Sequence, residues 1–489
     1  MARRSSGELS RRELLAGAAA SPAALQAQTV KSDRLNLIHI NVDTWATHWM
    51  GCYGHHQIET PNVDRLAAKC ALFEDAYPEV LPTICARRAI YTGRRIFPSD
   101  LIQQPDDQVK IRGWHQLYAE DVTISETLRG AGYTTAIVSD VYHQFKPDKN
   151  FHRGFDSWQW IRGQEQDRLV TGPRKGIDLN RYYHASQRGA PHDRRSILQY
   201  LLNRRQWKTE DDWLAARVFS HAAHWLTDNT AENQPFYLHI ESFSPHEYWD
   251  PPEDYYRRYM KKNYDGPRLI SPPQTTAQMT PLEVEHVRAL YAGLAAFVDS
   301  RIGRFLDTVN ALGLMRNTVI VLVADHGTMM GEQNQLHKGE LRLRTQVTHV
   351  PLMIYHPSDD WSGRKIGGFV QHTDLMPTLL DILGVKAPGR VTGESLRPLI
   401  AANARSKREE IITGWGEHGS VRNQEWNYIG RWSPGKPFEE LYNLRKDPLE
   451  LHNVADEHPA ELKEYRTRLR HHVDSGWSIT RGTFALKLA

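Results

Sequence analysis

The chain has 489 residues, of which 40% are hydrophobic and 24% are charged. This composition is typical of a globular protein, and it excludes collagen-like, low-complexity and wholly disordered chains. Lys and Arg number 61 against 58 Asp and Glu, which gives a formal net charge of +3. So small a net charge gives no support for nucleic-acid binding through bulk electrostatics. Three cysteines are too few for a disulfide framework.

The first 27 residues have the pattern of an export signal. Ser10-Arg11-Arg12 precedes an apolar run over residues 14–25, which is too short to cross a bilayer as a stable helix. Paired arginines before a mildly apolar stretch resemble a twin-arginine signal, with cleavage near Ala27. We therefore predict an exported protein, periplasmic or secreted; the alternative is a disordered basic tail. No later stretch reaches the ~18 apolar residues of a membrane helix.

Strand and helix patterns alternate from residue 32 to about residue 404. Apolar strands bounded by helical patterns predict an α/β fold, in which a large, mainly parallel sheet is sandwiched by helices. Four predicted strands end in a carboxylate, and ligands collect at the carboxyl ends of such strands. The predicted strands cover residues 35–43, 134–140, 236–241 and 318–325, and end at Asp43, Asp140, Glu241 and Asp325 respectively. The predicted helices cover residues 211–227 and 281–314.

Two other parts of the chain have a different pattern. Residues 410–415 and 426–432 are typical of short antiparallel strands, and residues 459–473 of a terminal helix. They predict a small α+β subdomain over residues 405–489, packed on a catalytic domain over residues 32–404. Residues 172–195 are rich in Arg, His and Gly, and we interpret them as a long surface insertion that faces the substrate.

Asp325-His326-Gly327 directly follows a buried strand, so the aspartate and histidine side chains emerge together at the strand's carboxyl end. With Asp43 from another strand they supply oxygen and nitrogen ligands for a divalent cation. The alternative is a helix-capping aspartate beside a surface histidine.

Thr83 is expected at the N-terminus of a helix, because it follows a proline and precedes a helical run. Free N–H groups and the helix dipole favour an anion there, and Arg87 lies one turn later, where a guanidinium can grip a tetrahedral oxyanion. The Thr83 hydroxyl can act as a nucleophile if a metal lowers its pKa. The alternative is that Thr83 is an ordinary N-cap.

In combination, these features resemble the sulfatase family of the alkaline phosphatase superfamily, over about residues 35–460. The motifs that carry the resemblance follow one another in the family's order. They are Asp43 with Gly51-Cys52-Tyr53-Gly54, the nucleophile helix at residues 83–94, Gly132-Tyr133-Thr134-Thr135, Ser244-Pro245-His246, Asp325-His326-Gly327 with Lys338-Gly339, residues 374–378 (DLMPT), and residues 440–444 (ELYNL) with Asp447-Pro448.

The resemblance implies a metal-dependent hydrolase of sulfate or phosphate esters, whose substrate is a small molecule or a glycan. It implies a cation bound by Asp43, Asp325 and His326, a nucleophile at the position of Thr83 that Arg87 steadies, and contacts to the transferred group or leaving oxygen from His246 and Lys338. His143 resembles the histidine of the family's lysine–x–histidine pair, whose lysine position holds Val141.

Thr83 is the main departure from the family pattern. Typical members have cysteine or serine there, oxidised to formylglycine, whereas oxidised threonine would be a ketone, and Cys85 is two residues out of register. We therefore predict no formylglycine. A formylglycine hydrate expels sulfate by itself, but a plain threonine ester needs attack by water, which makes a phosphodiesterase or phosphonate monoester hydrolase an alternative. A non-catalytic relative that binds an anion or glycan is the third interpretation.

The metal site also departs from the family pattern. Thr44 stands where many sulfatases have another metal-binding aspartate, and Gln333 where the family often has histidine. With fewer carboxylates and the nitrogen of His326, the expected ion moves from calcium, which the family implies, toward manganese or zinc. His372 and His418 are candidates for a second metal site, but we favour one divalent cation.

Overall fold

The computed structural model describes residues 34–55, 58–100, 111–145, 149–188, 193–230, 234–358 and 360–482. The predicted export signal lies outside these residues. None of the helices in these ranges combines the length and the apolar character needed to cross a membrane.

The strands fall into a large sheet, a smaller sheet and one short hairpin. Their bounds in chain order are β1 Asn36–Val42, β2 Cys70–Tyr77, β3 Val80–Leu81, β4 Thr134–Ser139, β5 Ser157–Trp160, β6 Phe236–Ser242, β7 Thr318–Ala324, β8 Met329–Met330, β9 Leu336–His337, β10 Leu352–Tyr355, β11 Lys365–Gln371, β12 Glu410–Trp415, β13 His418–Asn423, β14 Trp426–Arg431 and β15 Glu439–Asn443.

The helices cover the large sheet and lie between its strands. Their bounds in chain order are α1 Pro61–Ala67, α2 Thr83–Thr92, α3 Ile124–Gly130, α4 Asp193–Asn203, α5 Leu214–Asn229, α6 Glu253–Tyr259, α7 Pro281–Ala311, α8 Thr345–Thr348, α9 Leu375–Ile382, α10 Arg397–Ala402 and α11 Pro459–Thr480.

The large sheet has eight strands in the order β11-β2-β10-β7-β1-β6-β4-β5. Every neighbouring pair is parallel except the two that β10 makes, with β2 and with β7. The central strands β1, β6 and β7 are buried along their whole length, because helices cover both faces of the sheet. The prediction of an α/β fold built on a mainly parallel sheet is confirmed.

The smaller sheet has the order β15-β14-β13-β12-β3 and is antiparallel apart from the pair between β12 and β3. Strand β3 comes from the N-terminal half of the chain, directly before α2. The C-terminal strands therefore extend a ribbon that leads straight into α2. Strands β13 and β15 were not predicted, because residues 418–423 and 439–443 carry polar side chains that obscure the strand pattern.

Four predicted helix boundaries differ from those observed, one of them being the end of α5 at Asn229 instead of residue 227. Helix α7 ends at Ala311 instead of residue 314, since Gly313 takes a left-handed conformation that stops it. Helix α5 begins at Leu214, after a single 3-10 turn, instead of at residue 211. Helix α11 continues to Thr480 instead of residue 473, and within it Gly476 lies so close to Pro98 that an added Cβ would be 2.5 Å from the proline Cδ.

The insertion at residues 172–195 contains single 3-10 turns and ends in the start of α4. The backbone N–H of Arg268 donates to the carbonyl of Arg181, and the Gln187 side chain donates to the carbonyl of Ser271. The insertion is thus anchored on the segment that follows residue 246.

Helix α2 is buried at every position, and charged side chains hold its C-terminal half. The carboxylate of buried Asp121 accepts from Arg88 Nη2 at 2.6 Å and forms an ion pair with Arg94 beyond the end of the helix. It also accepts from the backbone N–H of Tyr118 at 2.8 Å. Asp121 therefore neutralises two guanidinium groups that have little access to water.

We predict that Asp121→Asn lowers the free energy of unfolding by about 3–5 kcal/mol, because it leaves two buried guanidinium groups without their counter-charge. Urea denaturation followed by circular dichroism measures the change. The matched control is Glu464→Gln, which removes an exposed carboxylate paired with Arg468 on α11 and should cost about 0.5 kcal/mol or less. Equal stability losses in the two variants would contradict the role of Asp121.

Candidate active site

Strands β1 and β7 are direct neighbours, and each is followed by an aspartate at its carboxyl end. Val42 pairs with Ala324 in the sheet, so the next residues, Asp43 and Asp325, emerge side by side. Both are fully buried. This sequence-predicted pair is brought together because parallel strands end at the same edge of the sheet.

Arg87 lies fully buried between three carboxylates. Its Nη1 is 2.6 Å from Asp325 Oδ2 and 3.2 Å from Asp43 Oδ2, while its Nε and Nη2 are both 2.8 Å from Glu241 Oε2. Burial opposes the charge of Arg87, but the three carboxylates outweigh burial and raise its pKa above the usual value. The guanidinium is therefore a permanent positive charge at the carboxyl ends of β1, β6 and β7.

His326 has a defined tautomer and an unused nitrogen. Its Nδ1 donates to the carbonyl of Gly327 at 3.0 Å, which leaves a lone pair on Nε2. That Nε2 lies 3.5 Å from Asp325 Oδ2 and 3.8 Å from Asp43 Oδ1. Among the described residues, His326 Nε2 has no hydrogen-bond partner, and Asp43 Oδ2 has only its ion pair with Arg87. A lone pair aimed at two carboxylates is unfavourable unless a cation lies between them.

The charges of the cluster support the same conclusion. When Asp43, Asp325 and Glu241 are all ionised, the cation in contact with all three is Arg87, so this group of four side chains has two negative charges in excess. Burial, and then the charge of Asp325, raise the pKa of Asp43 well above its usual range, and burial lowers the pKa of His326 to about 3. A divalent cation would balance the excess and use the free lone pair of His326 Nε2 together with oxygens of Asp43 and Asp325. The residues therefore fit a metal ion.

Thr44 supports this group of ligands from the side. Its hydroxyl donates to Asp43 Oδ1 at 2.6 Å, and its backbone N–H donates to Asp325 Oδ1 at 3.1 Å. It takes a left-handed conformation with φ 62°, which is strained for a β-branched residue. The hydroxyl of Tyr291 holds it by donating to its carbonyl at 2.8 Å. Thr44 orients both carboxylates instead of adding a third.

Thr83 is the first residue of α2, and Pro82 occupies the N-cap position without a side-chain cap. The ordinary N-cap role considered for Thr83 is therefore wrong. Arg87 lies one turn further along the helix, and its Nη1 donates to the carbonyl of Thr83 at 3.2 Å. The beginning of α2 and the carboxylate cluster are joined through this one guanidinium.

His246 and Lys338 form a second, adjacent group. Lys338 Nζ is 2.6 Å from His246 Nε2, and after burial the positive charge of Lys338 also contributes to the lowered pKa of His326. Glu247 borders the pair, with its Oε2 at 3.2 Å from Lys338 Nζ and 3.1 Å from His246 Nδ1. These two predicted residues therefore lie near the metal-ligand cluster, although they come from distant parts of the chain.

His143 joins the same group through a residue that the sequence did not single out. Its Nε2 is 3.1 Å from Glu165 Oε2, and the other oxygen of Glu165 is 3.9 Å from His246 Nδ1. Glu165 has a left-handed backbone with φ 42°. No sequence pattern marked Glu165, whereas Glu247 could have been suspected from its position next to His246.

Other expected positions stand apart from the cluster. Asp140 accepts from the backbone N–H of Phe243 at 2.7 Å and so supports the segment before His246. His372 lies with its Nε2 3.0 Å from the carbonyl of Ala324, and His418 pairs with Glu340 at 3.2 Å. In the part of the chain that the structure describes, only Asp43, Asp325 and His326 place three potential metal-ligand atoms within 4.8 Å of one another, and neither His372 nor His418 belongs to this group.

Comparisons with known proteins agree with this geometry. The family described as sulfatase matches residues 35–385, and the family described as N-sulphoglucosamine sulphohydrolase, C-terminal, matches residues 342–475. An arylsulfatase of Clostridium perfringens is 25% identical over 467 residues, which cover 89% of this chain and 92% of the relative.

Two solved structures have the same fold at low sequence identity. A phosphonate monoester hydrolase of Agrobacterium radiobacter has a TM-score of 0.69 at 20% identity, and the match covers 92% of this chain and 96% of the hydrolase chain. A protein solved with its substrate, D-glucosamine-2-N,6-O-disulfate, has a TM-score of 0.67 at 18% identity, and the match covers 92% of this chain and 100% of the chain of that protein.

We predict that Asp325→Asn lowers the amount of divalent metal bound, as measured by elemental analysis after dialysis against limiting metal. In the wild-type protein, metal at a hundredfold excess over its Kd should stabilise the fold by about 2.7 kcal/mol relative to the chelated protein. Asp140→Asn is the matched control, since it changes a buried strand-end carboxylate outside the cluster. Full metal retention by Asp325→Asn would refute the site.

Proposed function

Because the chain belongs to the sulfatase family and is thereby a sulfuric ester hydrolase, we propose that Thr83 is its nucleophile and that one divalent cation is its cofactor. The observation that carries this proposal is the position of Arg87. This residue is one helical turn from Thr83, and it pairs with Asp43 and Asp325, two of the three candidate metal ligands.

Asp43, Asp325 and His326 would hold the cation. When bound, a divalent cation supplies positive charge that stabilises an alkoxide and the oxygens of a sulfuryl or phosphoryl group. The donor set has two carboxylates and one imidazole, a combination that suits manganese or zinc, while the family resemblance implies calcium.

The first step transfers the sulfuryl group to Thr83. The Thr83 hydroxyl loses its proton to water and its oxygen forms a bond to sulfur, the bond from sulfur to the leaving oxygen breaks, and the leaving alkoxide takes a proton. Arg87, fixed by three carboxylates, stabilises the sulfuryl oxygens through a charge that cannot titrate. His246 and Lys338 lie together beside the cluster, where they can supply the proton to the leaving oxygen.

The second step must be hydrolysis of a threonine ester. Thr83 carries no second hydroxyl that could expel sulfate, so water adds to sulfur, Thr83 regains its hydroxyl and sulfate leaves. The Glu165 carboxylate holds the ring of His143. A base that activates this water needs such a partner to orient it. The imidazole–carboxylate pair is the reason we assign His143 a part in this step.

A second candidate function is hydrolysis of a phosphonate or phosphate ester at the same site. It is favoured by the threonine at position 83. Thr83 has no second hydroxyl with which to expel sulfate, so the route to sulfate release that formylglycine provides is absent, and the threonine ester depends on attack by water. The fold is also shared with a phosphonate monoester hydrolase. Both functions use the same residues and differ in the atom that Thr83 attacks.

We propose a small-molecule or glycan ester as the substrate and export as the route of the protein. One protein of the same fold was solved with a disulfated glucosamine as its substrate. Export to the periplasm or beyond rests on the paired arginines of the N-terminal segment alone.

We predict that Thr83→Ala lowers turnover by about 10²-fold or more with the fold intact, because no covalent intermediate can form. Thr83→Ser should retain activity, since it keeps the hydroxyl. Thr92→Ala, at the other end of α2, controls for the loss of a threonine side chain from this helix. Initial rates and circular dichroism are the measurements, and unchanged turnover by Thr83→Ala would refute the nucleophile.

A matched panel of an aryl sulfate, phosphate monoester, phosphodiester and phosphonate ester decides between the two functions. We expect Thr83-dependent release of sulfate, measured with calcium, manganese and zinc in turn, and the rate should fall on chelation. Thr83-dependent hydrolysis of the phosphorus esters alone would instead establish the second candidate. No turnover of any ester, in protein shown to contain metal, would favour the non-catalytic anion-binding relative.

A further inference from the structure

His337 is a buried histidine whose two ring nitrogens both face acceptors. Its Nε2 is 2.8 Å from the carbonyl of Pro272, and its Nδ1 is 2.9 Å from Glu247 Oε1. A carbonyl can only accept, so Nε2 carries a proton. If Glu247 is ionised, Nδ1 must carry a proton as well, and the ring is an imidazolium.

The surroundings of Glu247 keep it ionised. Three donors surround its carboxylate, His246 Nδ1 at 3.1 Å, Lys338 Nζ at 3.2 Å and His337 Nδ1 at 2.9 Å, and against the effect of burial they hold the pKa of Glu247 well below its usual range. The His337 ring stacks on Trp249, with ring centroids 4.9 Å apart and planes 16° from parallel, an arrangement that would stabilise a positive charge on the imidazole. His337 also has a left-handed backbone with φ 63°, a strained conformation often found at functional sites.

Glu247 in turn fixes the protons of its neighbours. His246 Nδ1 is 2.7 Å from the Glu247 carbonyl and 3.1 Å from its carboxylate, so this nitrogen carries the ring proton. His246 Nε2 then accepts from Lys338 Nζ at 2.6 Å. The only proton of the neutral His246 ring points away from Lys338, and the mobile protons of the pair belong to the lysine.

We propose that Glu247, held by a protonated His337, is a positioning residue that keeps Lys338 as the ammonium acid for the leaving group and His246 as its neutral acceptor. This inference rests on the proposed function, because it says which of the two residues supplies the proton. Lys338 gives a proton to the leaving oxygen, which departs as an alcohol or phenol. The lysine amine recovers a proton when water hydrolyses the threonine ester.

The test compares esters whose leaving groups differ in their need for a proton. A nitrophenolate leaves without one, whereas an alkoxide or a sugar oxygen requires one. Glu247→Gln keeps the size of the side chain but removes the charge that orients Lys338. We expect a loss of about 10²-fold in kcat for alkyl or sugar esters, the contribution of one general acid, and little change for the nitrophenyl ester.

Two further variants serve as controls. Asp299→Asn removes a buried carboxylate that caps α1, and it should leave the leaving-group dependence of kcat unchanged. Glu247→Asp retains the charge and should recover part of the activity toward the poor leaving groups. A uniform loss on all esters in Glu247→Gln would show a merely structural role and overturn the proposal.

A second readout does not depend on turnover. In protein labelled with ¹⁵N-histidine, the signals that disappear in His337→Asn belong to His337. We expect them to have imidazolium shifts at neutral pH in the wild-type protein and neutral-ring shifts in Glu247→Gln. Neutral-ring shifts of His337 in the wild-type protein would overturn the proposal. This part of the test does not require the Glu247→Gln variant to fold. Failure of the proposed function would look different. Turnover would then not depend on Thr83, whereas the ¹⁵N shifts of His337 would still report on Glu247.

Discussion

The structure of the site depends on how the buried positive charge of Arg87 is neutralised. A fully buried guanidinium lies against the carboxylates of Asp43, Asp325 and Glu241, which end or follow three adjacent strands of the large sheet. Burying such a group is unfavourable unless each charge finds a partner. One guanidinium satisfies only part of the negative charge, and the remainder is what suits the cluster to a divalent cation.

The burial of α2 follows from the same requirement. Arg87 reaches the strand ends only if its helix lies directly on the sheet, so both ends of α2 need anchors inside the protein. Strand β3 leads into the helix and pairs with β12 of the smaller sheet. Asp121 neutralises Arg88 and Arg94 at the other end. The C-terminal strands thus help to place Thr83, although they lie more than 300 residues further along the chain.

Around this cluster the histidines depend on carboxylates that determine where their protons lie. Glu165 holds His143, Glu247 holds His246 and His337, and the Gly327 carbonyl fixes His326. His246 and His326 thereby turn Nε2 away from these partners, whereas both nitrogens of His337 are engaged. Neutral and charged rings are distributed by hydrogen-bond partners rather than by exposure to solvent, as expected where water has little access.

The sequence by itself determined the α/β fold, the strands that end in Asp43 and Asp325, and the start of a helix at Thr83. These features depend on local patterns: apolar runs, a carboxylate at a strand end, and a proline before a helical segment. Only the tertiary structure decided that Glu241 pairs with Arg87, that Glu165 and Glu247 hold the histidines, and that Asp140 stays outside the cluster. Such contacts join side chains far apart in sequence, and hydrophobic periodicity carries no information about which distant carboxylate a buried charge will meet.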